Sequence, residues 1–225
     1  MSKSKCLKEL GQVISSPRYI EMMPDRKIKC LIFKKNFSDQ DDYCQVAKDV
    51  KDSYAVFVPT NEDKNKIYFL HLLFDSSIAR LFLSLGNNKI GGSITLKSLR
   101  QFPVVNISDE IIKAGAILDL SIKTLVDIMK EKEEPELLES VRGLLQEIRD
   151  AFILELYAKP FFENHNINIV NPLVEIIGHL DDQRLNVLVP ELLKAIINPN
   201  GVLLGNVRRL RVLMGNIMAT LKPNE

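Results

Sequence analysis

The sequence predicts an α+β chain in which a mixed α/β first half precedes an all-helical second half. Three observations carry this expectation. Strand-like runs rich in β-branched and aromatic residues, KIKCLIFKKNF (27–37) and YAVFVP (54–59), fall in the first half. From Ser108 onward, apolar residues recur at spacings of three and four. The charge balance also changes sign near residue 106, with 17 Lys and Arg against 11 Asp and Glu before it and 13 against 18 after it. A length of 225 residues accommodates one large domain or two small ones. The change of character predicts two, 1–106 and 107–225, with different partners for the basic and acidic parts.

Element by element, KIKCLIFKKNF reads as a strand between charged flanks, and YAVFVP as a short buried strand closed by Pro59 and the polar turn TNEDKNK. The run from Ile67 to Leu85 sets Tyr68, Leu72, Ser76, Ala79 and Leu83 on one helical face, with Phe69, Leu73 and Phe82 adjoining. That spacing predicts one amphipathic helix ending at Gly86. GNNKIGGS reads as a glycine-rich loop, and ITLKSLRQFPVV as a short strand or turn leading to an extended exit before Pro103.

In the second half Ser108 is the expected N-cap, with Asp109 and Glu110 at the positive end of the helix dipole. Ile111, Ala114, Leu118, Ile122, Leu125 and Met129 form one apolar stripe. Val141, Leu144, Leu145, Ile148, Phe152 and Leu156 form another. The charged segment KEKEEPE (130–136) joins them, so the expectation is a long antiparallel helical hairpin. A packed connector over 158–172 and shorter helices near 173–180, 185–197 and 206–221 complete the half, with no internal repeat of fixed period.

Composition and motifs exclude several function classes. A hydrophobic content of 46% with 26% charged residues is that of a folding chain, not a disordered one. Asp75, Arg80, Lys113, Asp119 and Glu155 interrupt the apolar runs before they reach the roughly 18 residues of a membrane helix. MSKSKCLKELG is polar rather than signal-like, so a cytoplasmic protein without a membrane partner is expected. Cys6, Cys30 and Cys44 have no CxxC spacing and read as reduced thiols, not as a disulfide framework or zinc site. There is no GxxxxGK[ST], GxSxG or HExxH, and no glycine-rich dinucleotide turn. His71 reads as a hydrogen-bonded core histidine, His165 as a loop residue and His179 as a helix-end residue. No catalytic residue, metal or cofactor is therefore expected. A nuclease built on Asp39, Asp41 and Asp42 is the weakest alternative, since that cluster and Glu131, Glu133 and Glu134 read as solvated turns.

The first half does hold groups suited to a polyanion. Lys34, Lys35 and Asn36 end the first strand, and Arg80, Asn87, Asn88, Lys89, Gly91, Gly92, Ser93, Thr95, Lys97 and Arg100 crowd the helix, loop and exit. Cations there can neutralise phosphates, glycines let backbone N–H groups approach an oxygen, and asparagine can read an adenine edge. NNKIGG is equally a good solvent-exposed turn, so the residues alone leave both readings open.

The order of segments resembles a known family. CLKELGQVISSPRYI, then YAVFVPTNEDKNKIYFLHLLFDSSIARLFLSL, then the glycine loop running into ITLKSLRQFPVV is similar to the target-recognition domain of specificity subunits from type I restriction-modification systems. It is also similar to the C-terminal specificity regions of adenine-specific DNA methyltransferases and fused restriction enzymes. The matching positions are Leu10, Gly11 and Val13; Tyr68, Phe69, Leu73 and Ser76; Gly91 and Gly92; and Leu99, Phe102, Pro103 and Val104, spanning roughly 5–106. The resemblance implies that the following long helix is a spacer that docks methyltransferase subunits, and RDAFILELYAKPFFENHNINIVNP looks like segments near the C-termini of some such enzymes. The chain is about half the length of a specificity subunit with two recognition domains and two spacers. It lacks the Asn-Pro-Pro-Tyr/Phe and S-adenosylmethionine motifs, and NPNG (198–201) differs in its last two residues. The resemblance therefore implies a non-catalytic recognition module that binds duplex DNA, docks methyltransferase or restriction subunits and restores two recognition domains as a homodimer. The alternative is a protein-interaction scaffold whose recognition-like fold no longer binds DNA.

Overall fold

The apolar run after Tyr54 becomes an inner strand of a four-stranded antiparallel sheet, in the first of two units into which the chain divides, Met1–Ile107 and Ser108–Glu225. The computed structural model describes residues 5–16, 30–37, 44–47, 54–60, 63–85, 92–131, 135–178, 185–198 and 200–213. The chain is mixed α+β, with small antiparallel sheets in the first unit and helices throughout the second.

In the first unit, strands β1 (Lys5–Cys6), β2 (Gly11–Ser15), β3 (Cys30–Phe33), β4 (Asn36–Phe37), β5 (Cys44–Ala47) and β6 (Ala55–Pro59) precede helices α1 (Lys64–Asp75) and α2 (Ser77–Leu85). Strand β7 (Gly92–Ser93), helix α3 (Leu96–Gln101) and strand β8 (Pro103–Val104) complete it. The main sheet runs β2-β6-β3-β5. Ala55, Val56, Phe57 and Val58 are all buried, as an inner strand covered on both faces requires. Register places Val13, Phe57 and Leu31 across one face, while Val56, Val58 and Cys30 form a small cluster on the other with Ile14 and Ile32 against it. Gly11 is fixed by close approach, because a Cβ there would lie 2.2 Å from the Val58 carbonyl oxygen and 2.8 Å from the Phe57 ring.

Helix α1 packs on β3 and β5. Asp63 caps it by accepting from the Asn65 and Lys66 amides at 2.9 and 3.4 Å. His71 Nε2–H donates to the Cys44 carbonyl at 3.1 Å, tying α1 to β5. An aromatic chain then runs outward: Phe33 meets Phe74 edge-on at 5.0 Å, Phe74 meets Phe102 at 4.7 Å, and Phe102 meets Phe82 at 5.0 Å.

Three sequence expectations are corrected in this unit. The single helix expected over 67–85 is two, α1 and α2, bent by 65°. Ser76 leaves the helix with ψ 150°, donates its hydroxyl to Leu73 O at 2.6 Å and accepts from the Ala79 amide at 3.3 Å, so one side chain closes α1 and caps α2. The bend turns Phe82 out to 42% exposure, although Leu72, Ala79 and Leu83 are buried as the spacing predicts. The stretch expected as a short strand or turn before Pro103 is helix α3. Thr95 caps it by accepting from the Ser98 amide at 3.0 Å, and Ser98 Oγ accepts from the Thr95 amide at 3.1 Å.

The second unit contains α4 (Asp109–Glu131), α5 (Pro135–Tyr157), α6 (Lys159–Asn164), α7 (Val170–Gly178), α8 (Leu185–Ile197) and α9 (Val202–Leu213). Proline opens α5, where its missing N–H costs nothing. Helix α4 packs against α5 on one side and against α7 and α8 on others. Ile112, Ala116 and Ser121 are consequently buried alongside the expected Ala114, Leu118, Ile122 and Leu125. The connector expected over 158–172 contains α6 and the start of α7, and the last helix begins at Val202, four residues earlier than expected.

Polar side chains hold the segment between α6 and α7. Glu155 Oε2 accepts from the Ile169 and Val170 amides at 2.6 and 2.9 Å, serving as a remote cap for α7. Asn206 Nδ2 donates to Asn168 O at 2.7 Å, and the Arg209 guanidinium donates to His165 O and Asn166 O at 3.1 and 3.3 Å. These contacts hold Asn166 in the left-handed region, φ 53°, which asparagine tolerates better than most residues. Among the described residues no single helix is long and apolar enough to cross a membrane.

Candidate nucleic-acid interface

Two of the basic stretches singled out in the sequence come together through backbone pairing. Strand β4 pairs with β7 in the register Asn36↔Ser93 and Phe37↔Gly92, and the Ile94 amide donates to Lys35 O at 2.8 Å. Ile94 is fully buried and anchors the junction. Lys34 and Lys35, which lead into β4, are thereby brought beside the segment that enters α3, some sixty residues later in the chain. Lys34, Lys35 and Lys97 are all exposed. Lys97 and Arg100 lie three residues apart on α3, and Leu99 between them is buried.

The other candidates divide into three groups. Some are taken up by internal bonds. Arg100 directs Nε and Nη2 at the Val13 carbonyl of β2, 3.1 and 3.0 Å away, and so pins α3 to the main sheet. Arg80 on α2 pairs with Asp75 at 3.4 Å. Thr95 is the α3 cap already described, and the Lys35 ammonium lies 5.9 Å above the Tyr54 ring. Gly92, Ser93 and Asn36 are placed by their backbones in β7 and β4. Asn87, Asn88, Lys89 and Gly91 lie outside the described residues, as do Asp39, Asp41, Asp42, Glu133, Glu134 and His179.

The site's chemistry is that of exposed ammonium groups on the segments flanking the β4–β7 pair. They can meet phosphate oxygens as point charges on flexible stems, without the bidentate geometry a guanidinium would supply. The buried titratable groups sit elsewhere. Burial pushes the Cys30 thiol up to about 11, which makes it a poor nucleophile. His71 meets the backbone of Cys44, and His165 Nδ1–H donates to Phe161 O at 2.8 Å while its ring rests on Phe161. Among the described residues no three His, Cys, Asp or Glu side chains gather as metal ligands.

Two features were missed in the sequence. One is the anchoring role of Arg100, which depends on a partner 87 positions away. The other is the exposed pair Leu81 (43%) and Phe82 (42%), hidden by an apolar period that runs unbroken through the bend at Ser76. Comparisons of the chain with protein-family models, with curated proteins and with solved structures each find no match.

Proposed function

We propose that the chain is a non-catalytic DNA target-recognition module of a restriction-modification system. In this reading the first unit is a recognition-type domain that contacts duplex DNA in the cytoplasm. In the second unit α4 and α5 form an antiparallel hairpin that acts as a spacer and docks methyltransferase or restriction subunits. The observation that carries it is the β4–β7 pairing with the Ile94–Lys35 bond, which brings the backbone at Lys34 and Lys35 beside the segment that leads into α3, where Lys97 is exposed. The basic balance of the first half, 17 cations against 11 anions before residue 107, supports the same partner. Gly11, whose place against Val58 and Phe57 admits no side chain, gives a physical reason for the glycine in the segment that resembles the family opening.

A homodimer would present this region twice, and a two-fold arrangement predicts a partly palindromic site. The competing reading, a protein-interaction scaffold, is favoured by the internal use of Arg80 and Arg100, which leaves fewer cations for phosphate. Binding of the full chain to duplex DNA, measured by fluorescence anisotropy at several salt concentrations, separates the two. Three neutralised phosphates give a slope of log K against log salt of about −3. A flat response, or no binding at low salt, refutes the recognition module and leaves the scaffold.

A further inference from the structure

Arg100 stands at an exposed position on α3, yet it commits its guanidinium to the protein itself. Strand register defines the partner. Leu10 O accepts from the Thr60 amide and the Ser16 amide donates to Tyr54 O, so the even-numbered residues of β2 bond to β6, and Val13, opposite Phe57, turns its carbonyl away from β6. Strand β2 is outermost in the sheet, so that carbonyl points out of the sheet edge. Val13 is 4% exposed, which leaves its oxygen little access to water, and the Nε and Nη2 donors of Arg100 meet it at 3.1 and 3.0 Å. These two donors form one side of the planar fork with which an arginine grips phosphate. Turning them to DNA would leave a buried acceptor unpaired.

We propose that Arg100 is a positioning residue of the DNA-binding site: it clamps α3 to the sheet edge and so acts through Lys97, without gripping phosphate itself. This rests on the DNA-binding reading and adds to it a division of roles between the two cations of α3. Helix α3 has six residues, well below the roughly 12 at which a helix holds by its own hydrogen bonds, so its place depends on what fastens it. Thr95 caps the start, and Leu99 is buried. Arg100 ties the last turn to β2, three residues after the exposed Lys97. Without the clamp the helix is free to shift about Leu99, and Lys97 loses the fixed base that lowers the cost of ordering it on an anion.

The test measures binding of the full chain to duplex DNA by fluorescence anisotropy across salt concentrations, with circular dichroism to check folding. Arg100→Lys keeps the charge and loses the two-pronged fork, so it separates the two roles. Arg100→Lys and Arg100→Gln are both expected to bind about fivefold more weakly than wild type, and Arg100→Gln is expected to add no further loss in a Lys97→Gln background. If Arg100→Lys binds as wild type does, or if the losses of Arg100→Gln and Lys97→Gln in affinity and salt slope simply add, Arg100 is a phosphate contact and the proposal is overturned. Unchanged binding by both Arg100 variants also overturns it and leaves a clamp with no part in DNA binding. Should Arg100→Gln not fold, Arg100→Lys decides: weaker binding supports the clamp and equal binding overturns it. Failure of wild type to bind any duplex at low salt overturns the DNA-binding reading, and this assignment with it.

Discussion

The two units differ in what their long polar side chains hold: in the first, Arg100 ties a helix to the sheet and several lysines stay exposed, whereas in the second they secure a connecting loop. In the first, Lys34 and Lys35, which precede β4, and Lys97, on the helix that follows β7, are exposed. In the second, Arg209, Asn206 and Glu155 bond to the backbone of residues 165–170, and Arg211 pairs with Glu147. The contrast follows from architecture. A sheet satisfies its own backbone through ladders, so side chains in the segments that flank it are not needed to satisfy that backbone. A packed set of short helices leaves helix ends and a connecting loop unpaired, and side chains from other helices must satisfy them. In the first unit the arginines Arg80 and Arg100 are bonded internally while Lys34, Lys35 and Lys97 are exposed; in the second, Arg209 and Asn206 hold a connecting loop.

The largest expected effect comes from the aromatic chain in the core of the first unit. Phe74 joins Phe33 to Phe102 and is fully buried, so Phe74→Ala is expected to cost about 4 kcal/mol, read as a fall in denaturation midpoint for the full chain. In the second unit the loss should come from polar contacts instead. Glu155→Ala leaves the Ile169 and Val170 amides unpaired and is expected to cost about 2 kcal/mol by the same measurement.

Glu155 also gives the second unit a pH signature. Burial raises its carboxyl above the ordinary glutamate value, against the opposing pull of the Ile169 and Val170 amides and Lys159, while Glu163 adds to the rise. A raised folded value means that the contribution is full below the ordinary glutamate range and is lost as pH climbs through the folded value. Wild type is therefore expected to exceed Glu155→Gln in stability most at acid pH, with the difference shrinking as pH rises through that window. A difference that grows with pH would contradict the assignment. The smallest expected effect is Thr95→Ala, which removes the α3 cap at about 1 kcal/mol and is read in thermal unfolding.

Much of this was legible in the sequence, and the reasons it was not legible elsewhere are physical. Strands β3 and β6 announce themselves through β-branched and aromatic runs, and the long helices through spacings of three and four. The break at Ser76 was not found, because Leu72, Ser76, Ala79 and Leu83 keep helical spacing through it; the trio Asp75, Ser76 and Ser77, rich in capping residues, was the available signal. Helix α3 carried a comparable signal in Thr95 and Ser98, whose side chains form the reciprocal cap. The two-residue strands β1, β4, β7 and β8 exist only by virtue of distant partners, which no local pattern encodes. The same holds for the candidate site: its lysines were nameable, but their meeting depends on Asn36 pairing with Ser93. The second buried face of α4, with Ile112 and Ala116, was masked by a stripe that already looked sufficient.

The most direct test of the edge formed by β4 and β7 is the salt dependence of duplex binding for single charge reversals. Lys34→Glu, Lys35→Glu and Lys97→Glu are each expected to leave the unfolding midpoint unchanged and to flatten the slope of log K against log salt by about one. Arg208→Glu, at an exposed position on α9, serves as the control and should alter nothing. Slopes that stay the same in all three variants, or that fall equally in the control, would contradict a DNA-binding edge in the first unit.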